Sequence, residues 1–167
     1  KGELILITAG TGTGKTTFLK QLKEKSPKRM VVLAPTGIAA INAGGMTIHS
    51  FFQLPFSPYI PGTTFGSGEQ KRYQFSKLKR NIIRSIDLLV IDEISMVRAD
   101  LLDSVDAVLR RFRDRNKPFG GVQLLMIGDL QQLAPVVKDD EWQMLRKYYD
   151  TPYFFSSQAL KQTEYCT

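Results

Sequence analysis

The sequence predicts an α/β fold in which a parallel sheet is covered by helices on both faces. Short apolar runs alternate along the chain with segments of helical spacing. The apolar runs are nearly continuous, as in strands that are buried on both faces of a sheet. Polar and Gly-rich segments follow these runs. Because ligands of such folds bind at the carboxyl ends of the strands, these segments are the first place to look for function.

The first part of the chain supplies two strands and two helices. Glu3–Thr8 is a β-branched apolar run that ends in a Gly cluster, which predicts a strand. Residues 16–25 have helical spacing with lysines on the outer side, and Ser-Pro ends the helix. Residues 30–34 form a second strand, and 37–43 a helix of small residues. The expected core side of the first helix is Phe18, Leu19 and Leu22.

An irregular insertion separates the two halves of the domain. It covers about residues 53–70, and its stretch 55–68 carries three prolines and three glycines. Residues 70–85 then form a basic amphipathic segment that we expect to be helical. We expect its Lys and Arg side chains to form a solvent-exposed helix face. The alternative is a DNA-binding surface, but nothing in the spacing of these side chains would position them on phosphates.

The second half continues the alternation. Residues 87–91 and 122–127 are apolar and predict strands, and 153–155 is a candidate for a short fifth strand. Between them, 99–113 has helical spacing. Its expected core positions are Leu102, Val105, Val108, Leu109 and Phe112.

Composition narrows the class of protein. The chain has 167 residues, 43% of them hydrophobic, which fits one domain with a real core. It has no apolar run of the roughly 20 residues that a membrane span needs. A single cysteine excludes an internal disulfide and favours an intracellular setting. The net charge of +7 fits a polyanionic partner such as nucleic acid, or simply a soluble surface.

The loop after the first strand has the pattern of a phosphate-binding P-loop. It reads Ala-Gly-Thr-Gly-Thr-Gly-Lys-Thr over residues 9–16, with Ala9 where glycine usually stands. Glycines let backbone N–H groups surround a phosphate at the start of a helix. We expect Lys15 to contact the β- and γ-phosphates and Thr16 to ligate Mg²⁺. The ATP-binding set is Ala9, Gly10, Thr11, Gly12, Thr13, Gly14, Lys15, Thr16 and Thr17.

Acidic and amide side chains follow the third and fourth predicted strands. Asp92 is predicted to bind Mg²⁺ and Glu93 to act as a general base toward water; the alternative is two solvated acids at the start of a helix. Gln131 and Gln132 follow Gly-Asp at the end of the fourth strand, where a glutamine can sense the γ-phosphate. A plain turn with incidental amides is the alternative, and spacing does not distinguish the two glutamines.

The segment after the second strand is a candidate surface for nucleic acid. Thr36 and Gly37 open a helix and can present N–H groups to an anion. Thr47, His49 and Ser50 add polar groups, while Phe51 or Phe52 could stack on a base. The alternatives are a structural histidine and core phenylalanines.

Taken together, these motifs resemble the Pif-one helicases of the RecD-like branch of superfamily one DNA helicases. The resemblance rests on the P-loop and on three collinear runs, which are Ala34-Pro-Thr-Gly-Ile-Ala-Ala-Ile-Asn-Ala-Gly-Gly-Met-Thr-Ile-His-Ser-Phe-Phe52, Ile91-Asp-Glu-Ile-Ser-Met-Val97 and Gly128-Asp-Leu-Gln-Gln-Leu-Ala-Pro-Val136. It covers most of the chain. Ala9 and Ala134 depart from the family pattern without removing a functional group.

The resemblance implies the first of two RecA-like motor domains of an ATP- and Mg²⁺-dependent 5′-to-3′ DNA helicase that serves genome maintenance, repair or recombination. It selects Gln132 as the γ-phosphate sensor, so the expected catalytic set is Lys15, Asp92, Glu93 and Gln132. The expected DNA contacts are Pro35, Thr36, Gly37, Asn42, Thr47, His49, Ser50 and Phe51.

The expected partners are single-stranded DNA and the second motor domain, which supplies arginines to the site. Residues 1–167 look like one RecA-like domain cut from a longer protein, without that second domain. The chain alone is therefore predicted to bind ATP but to hydrolyse it feebly. Two other classes of protein are possible from these motifs. One is a nucleotide- and DNA-binding module without turnover. The other is a small-molecule P-loop kinase, but the sequence shows no lid with paired arginines to bind a phosphate acceptor.

Overall fold

The core of the protein is a parallel sheet. A computed structural model describes residues 4–8, 12, 14–62, 75–163 and the backbone of 165–166. The described strands are β1 Leu4–Thr8, β2 Met30–Ala34, β3 Met46–Thr47, β4 Leu88–Ile91, β5 Gln123–Gly128 and β6 Tyr165–Cys166. Their order is β3-β2-β4-β5-β1-β6, and each pairing in this sheet is parallel. The predicted fold class is confirmed.

Helices cover both faces of the sheet. They are α1 Lys15–Lys25, α2 Gly37–Ala43, α3 Ile48–Phe52, α4 Lys77–Ser85, α5 Ala99–Phe112, α6 Asp139–Leu145 and α7 Gln158–Lys161. Short 3₁₀ turns follow β4 at Ile94–Met96 and precede α7 at Phe154–Ser156. No helix of the described residues is long and apolar enough to cross a lipid bilayer.

Side chains of each central strand alternate between two cores. In β4, Leu88 and Val90 pack with Leu19 of α1 and Ala43 of α2. The larger core on the opposite face collects the side chains of α3, α4 and α5, among them Ile48, Phe52, Ile83, Leu102 and Leu109, with Leu89 and Ile91 of β4. This two-sided burial explains why the strands read as continuous apolar runs.

Three predictions about elements need correction. Phe18 is 40% exposed, because α1 rests on the sheet through Leu19 and Leu22. Residues 153–155 are not a strand: Tyr153 makes one isolated antiparallel bridge to Arg98, and a 3₁₀ turn follows it. The basic helix begins only at Lys77, where the Ser76 hydroxyl accepts a hydrogen bond from the backbone N–H of Lys79. Residues 70–74 of that prediction lie outside the described part.

The irregular insertion is confirmed where it is described. Residues 55–62 contain no helix or strand, and 63–70 fall outside the described residues.

Two described strands, β3 and β6, contain two residues each, which is too few for a periodicity to appear. α6 was not predicted, although its acidic first turn is typical of a helix start; in the structure the Glu141 carboxylate accepts a hydrogen bond from the Lys138 N–H.

Candidate nucleotide and nucleic-acid site

Two glycines of the segment after β1 are described, and the second directly precedes α1. Gly12 and Gly14 have φ angles of +80° and +87°, which side-chain-bearing residues adopt only with strain. α1 begins at Lys15, and its first turn contains no acidic residue, so the positive end of the helix faces the loop uncompensated. Lys15 is half-buried, while Thr16 and Thr17 are exposed. Ala9, Gly10, Thr11 and Thr13 lie outside the described residues.

Asp92 and Glu93 leave β4 at the same edge of the sheet. The N–H of Asp92 donates to the carbonyl of Leu33 at 2.9 Å, which extends the β2–β4 ladder by one residue. One carboxylate oxygen of Asp92 accepts the N–H of Glu93 at 2.9 Å. Glu93 has φ +52°, a left-handed conformation that is uncommon outside glycine and tends to cluster at functional sites. Both residues are only half-buried at this edge.

The end of β5 brings the glutamines to this edge. Gly128 pairs with Thr8 of β1, and it also packs against the backbone of the turn that follows Glu93. An Asp129 carboxylate oxygen accepts the N–H of Gln131 at 2.9 Å, and its carbonyl accepts that of Gln132 at 3.1 Å. Both glutamines are exposed. The structure therefore collects the P-loop, the acidic pair and the glutamine turn at three adjacent strand ends.

The predicted DNA-binding residues lie farther along the same sheet edge, after β2 and β3. Thr36 caps α2 by accepting the N–H of Ala39 at 3.2 Å, and Thr47 caps α3 by accepting that of Ser50 at 3.2 Å. Ala34 pairs with Thr47, so these two helix starts are neighbours. Gly37, Asn42 and Ser50 are exposed, while Pro35 and His49 are half-buried. Each threonine hydroxyl keeps its own proton for an outside acceptor.

Phe51 does not join this surface. It is 4% exposed, and its ring meets Phe52 edge to face with centroids 4.9 Å apart. Lys79 Nζ lies 4.2 Å from the centroid of the same ring. The prediction that Phe51 stacks on a base is wrong for this structure, because the ring is packed into the core.

A different aromatic side chain occupies the surface beside His49. Phe56 is 83% exposed and stacks on the imidazole, with ring centroids 4.6 Å apart and planes 20° from parallel. Burial, and then the charge of Arg98, lower the pKa of His49, so the ring is neutral at physiological pH. Sequence reasoning missed Phe56 because it lies in the irregular insertion, where no periodicity separates exposed from buried positions.

Asp92 and Thr16 offer donors that suit magnesium. Among the residues that the structure describes, no cluster of three or more His, Cys, Asp or Glu side chains could hold a metal. Mg²⁺ is usually held by one or two protein oxygens together with phosphate oxygens and water. A carboxylate after β4 and a hydroxyl in the first turn of α1 therefore fit an ion that binds together with a nucleotide.

A parallel sheet, a Gly-rich turn into a helix and acids at a nearby strand end define a RecA-like P-loop NTPase fold. Residues 1–149 match the family model described as PIF1-like helicase. The chain belongs to the PIF1-like helicase family, as its motifs predict.

Curated relatives and solved structures agree with this assignment. The human ATP-dependent DNA helicase PIF1 is 42% identical over an alignment of 147 positions, and the match covers 84% of this chain and 21% of the human protein. The ATP-dependent DNA helicase Pif1 of Bdellovibrio bacteriovorus is 38% identical. This match covers 81% of this chain and 30% of the Bdellovibrio protein. A crystal structure of Bacteroides Pif1 helicase with ADP-AlF3 and single-stranded DNA superposes with TM-score 0.88 at 47% identity, covering 98% of this chain.

The chain is much shorter than these relatives. It spans 37% of the Bacteroides chain and 35% of the Candida albicans Pif1 chain, which superposes with TM-score 0.74 at 37% identity. The described fold therefore corresponds to one part of a larger helicase in each comparison.

Proposed function

We propose that this chain is the first motor domain of an ATP-driven DNA helicase that moves 5′-to-3′ on single-stranded DNA. The observation that carries the proposal is the convergence of the glycine turn, Asp92, Glu93 and the glutamine turn at neighbouring strand ends. Membership of the PIF1-like helicase family supports the same conclusion. Roles in repair or recombination follow from the family alone and are part of the proposal.

In this proposal each site residue has one task. Lys15 and the N–H groups of the loop hold the phosphates, and Glu93 accepts the proton of the attacking water. Thr16 and Asp92 would hold Mg²⁺, which when bound supplies positive charge to the phosphate oxygens. Gln132 hydrogen-bonds the γ-phosphate or the water, so it distinguishes ATP from ADP.

DNA is proposed to lie across the starts of α2 and α3. Thr36, Gly37, Thr47 and Ser50 offer hydroxyl and backbone donors to phosphates there, and Pro35, Asn42 and His49 border them. Bacteroides Pif1 has been solved with single-stranded DNA, which supports this choice of ligand.

A second motor domain is proposed to cover the glutamine turn. Leu130, Leu133 and Val136 are 46%, 69% and 82% exposed around Gln132. Exposed apolar side chains grouped beside a candidate active site favour contact with another domain. Such a domain would complete the ATP site with arginines and couple nucleotide binding to movement on DNA.

The test is the ATPase activity of the full-length protein with and without oligo-dT. We expect many-fold stimulation by oligo-dT, and its loss in Lys15→Ala. Lys20→Ala is the matched control, because Lys20 is an exposed lysine on the same helix and should leave activity unchanged. Activity that ignores DNA but responds to a small metabolite would favour the kinase class, and normal activity in Lys15→Ala would contradict the proposed site.

A further inference from the structure

We propose that Phe56 is a base-stacking residue, with His49 as the layer beneath it. The inference deepens the proposed function, since its ligand is a nucleobase of single-stranded DNA. Phe56 is 83% exposed, whereas Phe51 and Phe52 are 4% and 0% exposed. Of the three phenylalanines in residues 51–56, Phe56 alone has a ring face available to a ligand.

Phe56 is held in place by contacts on both sides. The N–H of the buried Leu54 donates to the carbonyl of His49 at 2.9 Å. On the other side, the N–H of Tyr59 donates to the buried carboxylate of Asp100 at 3.0 Å. Pro55 and Pro58 restrict the backbone between these anchors. The exposure of Phe56 is therefore fixed by the structure, which lowers the entropy cost of binding through this ring.

Asp100 is itself anchored, which makes the support of the loop rigid. The Arg98 guanidinium donates to both Asp100 oxygens at 2.8 Å and to Glu141 of α6 at 3.0 Å. Further along the loop, Ile60 packs against the small core of Ala99, Leu145 and Tyr149. The loop that carries Phe56 is thus tied to both α5 and α6.

The imidazole fixes the orientation of the phenyl ring. His49 is half-buried in α3 and covers one face of Phe56 at 4.6 Å between centroids. The opposite face of the phenyl ring can continue the stack with a base. His49 is therefore a positioning residue, and it supports the aromatic ring instead of donating to a phosphate.

The exposed Phe56 ring, stacked on His49, selects unpaired bases without reading their sequence. Every base has a π-face, so stacking on a phenyl ring tolerates any of them. Bases inside a duplex are already stacked on both sides and offer no face. His49 lies next to Ser50 in α3, where we place phosphate contacts, so one nucleotide could use both. A base on Phe56 would help to fix the position of the strand during each ATP cycle.

The test compares DNA affinity of full-length Phe56→Ala and Phe56→Trp by fluorescence anisotropy with short oligo-dT. We expect Phe56→Ala to weaken binding about tenfold, within the range for loss of one base stack, and Phe56→Trp to retain it. The slope of affinity against salt should not change, because no phosphate contact is lost. Phe155→Ala is the matched control: Phe155 is 47% exposed and stacks on Tyr153, outside α2, α3 and the 55–62 loop.

An abasic series identifies the contact directly. With the wild-type protein, one abasic position in the oligonucleotide should weaken binding, and with Phe56→Ala the same position should have no further effect. His49→Phe should keep most of the affinity and His49→Ala should lose it, because the first retains an aromatic layer.

The outcomes separate the two proposals. If the wild-type protein binds no single-stranded DNA, the proposed function fails. If it binds DNA and Phe56→Ala binds equally well, or weakens no more than Phe155→Ala, the stacking inference alone is wrong. Unchanged DNA affinity with impaired ATPase in Phe56→Ala would assign Phe56 to a contact between domains, and it would also overturn the inference.

Discussion

At the scale of single residues, Gly128 is a packing contact between the end of β5, which precedes the glutamine turn, and the loop that carries the acidic pair. A Cβ at this position would lie 2.9 Å from Ile94 Cγ2 and 3.0 Å from the Ile94 backbone nitrogen. Ile94 follows Glu93 directly and is fully buried, so it has little room to move. The close approach therefore requires glycine and fixes the position of the acidic loop.

Gly128→Ala should destabilise the protein and displace Glu93. We expect the free energy of unfolding to fall by about 1–3 kcal/mol, the cost of overpacking a core position. Urea denaturation measures this change. Gly37→Ala is the control, since an added Cβ there meets no atom within 4 Å. Equal stability of the two variants would show that the acidic loop is not held by this contact.

At the scale of elements, a buried carboxylate connects α5 to the segment that ends the described domain. Asp103 is 5% exposed and accepts four hydrogen bonds. The donors are the Tyr149 hydroxyl at 2.6 Å, the Ser157 hydroxyl at 2.5 Å, and the N–H groups of Gln158 and Ala159 at 3.0 Å each. Burial, and then Asp103, raise the pKa of the Tyr149 phenol, so it stays a donor.

Asp103→Ala should be among the most damaging single substitutions in the chain. It leaves the buried Ser157 hydroxyl and the start of α7 without their acceptor, which we expect to cost about 3–5 kcal/mol of unfolding free energy. Tyr149→Phe removes one donor and should cost about 1.5–3 kcal/mol. Both are measured by urea denaturation.

Asp114→Ala is the control for this pair of substitutions. The Asp114 side chain is 40% exposed and lies 3.6 Å from Lys117 Nζ, a pair that contributes less than about 1 kcal/mol. A comparable loss in Asp103→Ala and Asp114→Ala would mean that the buried network contributes little.

At the scale of the whole molecule, we propose that the described domain forms half of an ATPase site. Three of its described arginines make contacts within the domain: Arg98 pairs with Asp100 and Glu141, Arg110 with Asp106, and Arg113 donates to the carbonyls of residues 83 and 84. An arginine aimed at the phosphates typically contributes about 10³–10⁵ in rate. These contacts support the proposal that the arginines come from another domain.

The 167-residue chain by itself should bind ATP with Mg²⁺ but turn it over slowly. We expect a rate at least about 10³ below that of the full-length protein with oligo-dT, from the missing arginine. Calorimetry measures binding and a phosphate-release assay measures turnover, with the Lys15→Ala chain as the control that should lose binding. Unwinding of a tailed duplex by this chain alone would contradict the prediction.

The motif residues were predictable from the sequence because each motif is a short run of neighbouring residues in a fixed order. The P-loop pattern indicates Lys15 and Thr16, and an apolar run that ends in Asp-Glu indicates Asp92 and Glu93, without knowledge of the fold. The main strands and the long helices were also predictable, since buried strands and amphipathic helices have distinct spacings.

Other features depend on contacts between segments that are distant in the sequence. The order of the strands, the packing of Gly128 on Ile94 and the burial of Asp103 have no local signal. Phe51 and Phe56 are the same residue type five positions apart, yet one is in the core and the other on the surface. Sequence alone determined which groups are the candidates for binding phosphates and acting on water. The tertiary structure decided which ring faces the solvent, because burial depends on what packs against a side chain and not on its neighbours along the chain.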